Sequence, residues 1–154
     1  MRVFYCDGAC SSNGYSNASG GYGVVEIKDN QVIYKYQDFK SPTTNNEMEL
    51  MAILHILQKL DKEKDNNFYE TSIIYSDSAY CVNIFNNWMY GWERNNWTRP
   101  KNQAIKNLDI IKQIYNLSYL AKVEKVKGHN GNIWNEMCDQ LATGKIKLSN
   151  STIF

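Results

Sequence analysis

Apolar positions occur first in short strand-like runs and later at helical spacing. Val3-Phe4-Tyr5-Cys6 is one such run, and it stops on Asp7-Gly8-Ala9-Cys10, so Asp7 is expected at the end of a buried central strand. The following stretch, Ser11 to Gly20, is rich in Ser, Asn and Gly and reads as a loop. Val24 to Lys28 and Val32 to Tyr36 flank Asp29-Asn30 as the two arms of a hairpin. With the first strand they make a three-stranded antiparallel meander.

The period then changes. Leu50, Ile53, Leu54 and Leu57 follow i, i+3, i+4, i+7, so a helix begins near Glu47 with Thr44, Asn45 or Asn46 as its cap. Glu47 suits the ordinary job of a first-turn acid, complementing the helix dipole. Glu49 lies beside the apolar face, where a carboxylate is costly to bury without a cation. Ser72 to Ser76 reads as a strand ending on Asp77, which taken alone fits an N-cap. Cys81, Ile84, Phe85 and Trp88 give helical spacing behind it, and Ile105, Leu108, Ile111 and Tyr115 give another helix. Tyr119 to Lys127 reads as a strand, Gly128 to Asn132 as a glycine-flanked loop, and Trp134, Met137, Cys138 and Leu141 as the apolar face of a last helix carrying Asp139 beside it. The order predicts an α/β (α+β layered) domain over residues 1–145, with a five-stranded mixed sheet, about four helices and a C-terminal tail, 146–154.

At 154 residues and 43% hydrophobic, the chain is the size of one ordinary domain. A formal charge of +1 means that affinity for nucleic acid has to come from a local patch. One candidate patch interleaves Trp88, Tyr90, Trp92 and Trp97 with Arg94, Arg99, Lys101 and Lys106, a combination that suits phosphates and the sugars or bases beside them. Within it, Trp88 reads by its spacing as core. Trp97, in polar surroundings before Arg99-Pro100-Lys101, reads as a contact residue. Cys6, Cys10, Cys81 and Cys138 form no C-x-x-C pair, which argues against a zinc site, and two of them read as buried reduced thiols. The chain enters its first strand at once and has no apolar run near the roughly 20 residues of a membrane span, so a soluble, cytoplasmic monomer is expected.

Two strands ending in Asp, with Glu49 and Asp139 on helices beside them, would cluster four carboxylates at one edge of the sheet. Like charges persist together only around something positive. All-oxygen ligands favour Mg²⁺ or Mn²⁺ over zinc. Two such ions about 4 Å apart clamp the attacking and leaving oxygens of a phosphodiester displacement. His129, in a loop before the helix that bears Asp139, is placed to come over such a site and leave it.

Tyr5-Cys6-Asp7-Gly8-Ala9-Cys10, Thr44-Asn45-Asn46-Glu47-Met48-Glu49-Leu50, Tyr75-Ser76-Asp77-Ser78-Ala79-Tyr80, and Gly128-His129-Asn130-Gly131 with Asn135-Glu136-Met137-Cys138-Asp139 resemble, in order and spacing, the signature blocks of type 1 ribonuclease H. The resemblance spans nearly the whole chain. It implies cleavage of the RNA strand of an RNA–DNA hybrid, giving 5′-phosphate and 3′-hydroxyl ends, with Asp7, Glu49, Asp77 and Asp139 as ligands of two Mg²⁺ ions and Asp7 bridging them. It also implies that His129 aids proton transfer or product release. Cys10, Asn13, Asn45 and Asn46, with Gly8 and Thr44 beside them, match positions that meet the hybrid's minor groove, where the 2′-hydroxyl marks RNA. Trp88, Trp92 and Trp97 fall in a handle that grips the DNA strand. Two positions depart from the family pattern: Ala79 stands where a Gln commonly touches substrate, and Gly91 where an Asn commonly helps to hold a phosphate. The handle, with Glu93, Asn95 and Asn96 among its cations, is less basic than in the well-known bacterial enzyme, so weaker hybrid binding is expected. A strand-transfer or resolvase enzyme of the same fold, a non-catalytic hybrid-binding module and a reverse-transcriptase domain are the competing readings.

Overall fold

A computed structural model describes residues 1–11, 18–64, 71–126 and 132–149. Strands β1 (Val3–Ser11), β2 (Ser19–Lys28) and β3 (Gln31–Lys40) form the antiparallel meander; β4 (Ser72–Ser76) and β5 (Ala121–Lys125) extend it in parallel, in the order β3-β2-β1-β4-β5. The hairpin turn falls on Asp29 and Asn30 with φ of 52° and 61°, the positive pair that a twisted two-residue hairpin requires.

One boundary differs from the sequence reading. β1 does not stop at Asp7 but runs on to Ser11, because β2 starts early enough, at Ser19, to keep pairing with it. Only the β4 side stops: the last β1–β4 pair is Cys6 with Ser76. Asp7 therefore sits within a strand that is supported on one side and open on the other. Asp77, the residue after β4, lies at that opening.

Helix α1 (Asn45–Glu63) is capped by Thr44, whose hydroxyl accepts from the Glu47 N–H at 3.1 Å, so Asn45 and Asn46 are left as its first helical residues. Leu50, Ile53, Leu54 and Leu57 are buried as their spacing predicts, packed with Phe4, Cys6, Val24 and Ile74 of the sheet. Helix α4 (Leu108–Leu117) lies on the same side; its buried residues are Ile111 and Ile114, while Leu108 and Tyr115 are half-buried at its flank. On the other face of the sheet, α5 (Ile133–Thr143) packs Cys138 and Leu141 against Val25. Three cysteines are buried rather than two, Cys6, Cys81 and Cys138, and all four are free thiols.

Between β4 and α4 the chain forms α2 (Ala79–Asn83), a π-helical turn over Ile84–Trp88, and α3 (Met89–Arg94). The start of the C-terminal tail is tied down by one side chain. The Gln37 amide donates to the carbonyls of Leu141 at 2.9 Å and Ile146 at 2.8 Å, and its oxygen accepts from the Leu148 N–H at 2.5 Å. Ile146 and Leu148 pack on the Val25–Cys138–Leu141 cluster.

Candidate active site

Asp7, Glu49 and Asp77 converge where β4 ends, each offering a carboxylate oxygen within 4.8 Å of the others. Three different elements supply them. Asp7 is held in β1 and accepts the Gly8 N–H at 2.9 Å. Glu49 comes from the first turns of α1. Asp77 is not the cap of the following helix: Ser78 is, accepting the Cys81 N–H at 3.1 Å, while Ser76 Oγ accepts the Ser78 N–H at 3.1 Å. The two serines thus satisfy the turn and leave the aspartate facing the acids, an arrangement the sequence reading did not single out.

Asp139 is the fourth acid. It stands on the exposed face of α5, outside the tight trio, and lines the same open cleft of about 480 Å³. Its charge reaches Asp7 nonetheless. The electrostatic result is a site that resists full ionisation. Burial, then the charges of Asp77 and Asp139, pushes Asp7 up to about 7. Burial, then Asp7 and Asp77, pushes Glu49 up to about 10.

A hard divalent cation fits this arrangement. All donors are carboxylate oxygens, and Glu49 Oε2 is buried with no hydrogen-bond partner among the described residues, an orphan acceptor that a cation would satisfy.

Gly8, Cys10, Asn45 and Asn46 border the cleft beside the acids. Thr44 is occupied as the helix cap, and Cys10 Sγ lies 3.5 Å from the Thr43 carbonyl. Behind them a side-chain chain stiffens the entry to α1: Thr43 Oγ1 donates to Glu47 at 2.6 Å, and Lys40 pairs with the other Glu47 oxygen at 2.6 Å. Asn13 and His129 lie outside the described residues.

The aromatic–basic segment forms a second cleft of about 380 Å³ that shares Asn46 with the first and is lined by Trp88, Trp92, Arg99 and Lys106. Here the burial of two tryptophans departs from the sequence reading. Trp88 is 45% exposed rather than core. Cys81, Ile84 and Phe85 are buried on one face, but the wider π turn advances the register, so Met89 takes the core position and Trp88 swings out. Trp97 is half-buried instead: its ring meets Tyr115 edge-on at 5.4 Å and its N–H closes a turn onto the Trp92 carbonyl at 2.6 Å. Trp92 joins the two, packed on the core and 6.3 Å from the Trp88 ring.

The described residues contain no helix long and apolar enough to cross a membrane. The RNase H family profile matches residues 1–147. A ribonuclease H of Acetivibrio thermocellus is 38% identical over 146 residues, covering 93% of this chain and 92% of the relative. Among solved structures, LC9-RNase H1, a type 1 RNase H with the type 2 active-site motif, superposes with a TM-score of 0.75 at 25% identity, over 92% of this chain and 69% of that one. LC11-RNase H1, solved in complex with an RNA/DNA hybrid, has the same fold, with a TM-score of 0.65 at 18% identity, over 92% of this chain and 94% of that one. With its five-stranded sheet, its acids at the end of β4 and a family match over nearly its full length, the chain belongs to the ribonuclease H family.

Proposed function

We propose that this protein is an endonuclease that hydrolyses the RNA strand of RNA–DNA hybrids using two Mg²⁺ ions, for which Mn²⁺ can substitute, leaving 5′-phosphate and 3′-hydroxyl ends. The observation that carries the reading is the Asp7–Glu49–Asp77 trio with the orphan Glu49 Oε2, bordered by Asn45 and Asn46. Family membership supports the same activity, and a hybrid-bound neighbour of the same fold is consistent with it. Bound by the acids, the cations supply the positive charge that lowers the barrier to attack of water on the phosphodiester.

The chain's own groups have separate tasks. Asp7 in β1, Glu49 on α1 and Asp77 after β4 would hold the cations, and Asp139 would complete the set from α5. Asn45 and Asn46, exposed at the start of α1, offer amides to the minor groove, with Gly8 and Cys10 leaving room for its sugars and Asn13 matching a further contact. Trp88 and Trp92, with Arg99 and Lys106, take the DNA strand, and Trp97 holds that segment to α4. His129 serves proton transfer or product release. The protein works as a monomer in the cytoplasm.

The test is one end-labelled RNA presented single-stranded, paired with RNA, paired with DNA, and as a lone ribonucleotide within DNA. Each is incubated in Mg²⁺, in EDTA, and with Asp77→Asn. Cleavage of the RNA–DNA hybrid alone, lost in EDTA and in the variant, is the expected result. Hybrid bound but never cut, or duplex DNA cut instead, overturns the proposal.

A further inference from the structure

The acids sit on three layers: Asp7 in the sheet, Glu49 on α1 against one face and Asp139 on α5 against the other. How far each helical carboxylate reaches toward Asp7 therefore depends on how closely its helix lies on β1 and β2. At both helices the sheet carries a glycine where an added Cβ would strike the helix backbone.

Gly23 is the direct cross-strand partner of Asp7. A Cβ built there would stand 2.6 Å from the Cys138 carbonyl oxygen, in the peptide that leads into Asp139, and 2.6 Å from Leu141 Cβ. Gly8 follows Asp7 in β1. A Cβ there would stand 2.6 Å from the Met48 carbonyl carbon and closer still to the backbone nitrogen of Glu49 itself. These obstacles are backbone atoms or the root of a side chain, so no rotamer change relieves them; in a close-packed interior the helix as a whole has to move. Gly21 of β2 also packs closely on α5, an added Cβ standing 2.6 Å from the Ala142 carbonyl oxygen, whereas at Gly91 the nearest described atom, on the Arg94 guanidinium, is 3.9 Å away.

We propose that Gly23 and Gly8 are positioning residues of the site: the side chains they lack set the depth of α5 and α1, and so place Asp139 and Glu49 around Asp7. The inference rests on the reading of those two acids as metal ligands. A glycine kept for packing alone predicts lost stability with an unaltered site. A positioning glycine predicts an effect that passes through one particular carboxylate.

A double-mutant cycle separates the two, read as Mn²⁺ affinity by calorimetry on the full chain without substrate, at a temperature where circular dichroism shows every variant folded. Gly23→Ala is expected to weaken Mn²⁺ binding about tenfold or more, the size seen when groups supporting a ligand are lost. In an Asp139→Asn background the same substitution is expected to weaken it no further. Gly8→Ala with Glu49→Gln forms the parallel cycle and decides on the same criterion if Gly23→Ala does not fold. Unchanged affinity in the glycine variants, or an equal loss in both backgrounds, overturns the proposal. If Asp139→Asn itself leaves Mn²⁺ affinity intact, what falls is the assignment of Asp139 as a ligand, and the role of Gly23 falls with it.

Discussion

Glu49 and Asp7 each bring a carboxylate oxygen within 4.8 Å of the other, and burial together with the neighbouring acids holds both above the usual carboxylate range. Unfolded, they would titrate near 4. Between about 4 and the raised folded values the native state therefore binds more protons than the unfolded chain, and stability falls as pH rises through that window. The metal-free protein is expected to melt at a lower temperature at pH 8 than at pH 5.5 through this pair, and Glu49→Gln to flatten the difference. Mg²⁺, which competes with the protons, is expected to raise the melting temperature more at pH 8 than at pH 5.5. Scanning calorimetry with and without EDTA reads both.

Asp77→Asn is expected to separate activity from stability. Removing one ligand of the trio lowers hybrid cleavage by about 100-fold or more, the upper end of what loss of even a supporting group costs. In EDTA the same variant melts no lower than the parent, because one like charge facing Asp7 and Glu49 is gone. A fall in both would mean that Asp77 is chiefly structural.

The two tryptophans that exchange places give opposite phenotypes. Trp88→Ala, at a 45% exposed position, is expected to raise KM for hybrid about tenfold, within the roughly 1–3 kcal/mol of an aromatic contact to nucleic acid, with no change in melting temperature. Trp97→Ala loses the edge-on contact with Tyr115 and destabilises the protein by about 2 kcal/mol, less than a fully buried aromatic. Steady-state kinetics and thermal melts on the pair check the contrast.

Gln37→Ala removes three hydrogen bonds that join β3, the end of α5 and the tail. At about 1 kcal/mol for each net bond, the loss is about 2–3 kcal/mol, or about 6–10 °C in melting temperature for a chain of this size. Hydrogen exchange at Leu148, whose N–H the side chain of Gln37 accepts, should accelerate first.

Local periodicity and side-chain chemistry were enough to order the elements of this protein and to single out its acids. The alternation around Asp29-Asn30 specified the meander, and the spacing of Leu50, Ile53, Leu54 and Leu57 specified α1 and placed Glu49 beside its buried face. These features depend on neighbours a few residues away, and a reading along the chain captures them. What it could not reach were relationships set across elements. β1 continues past Asp7 because its partner β2 does, although the run of large apolar residues has ended. Trp88 leaves the core because a π turn, a departure of backbone hydrogen bonding rather than of composition, shifts the register by which its burial was judged. Ser78 takes the capping role that Asp77 was equally suited to fill, and only the folded turn decides between adjacent candidates. The convergence of Asp7, Glu49 and Asp77 to within 4.8 Å, with Asp139 standing off in the same cleft, follows from where helices on opposite faces of the sheet come to rest. That depth is a property of packed backbones, set here by side chains that Gly8 and Gly23 do not have.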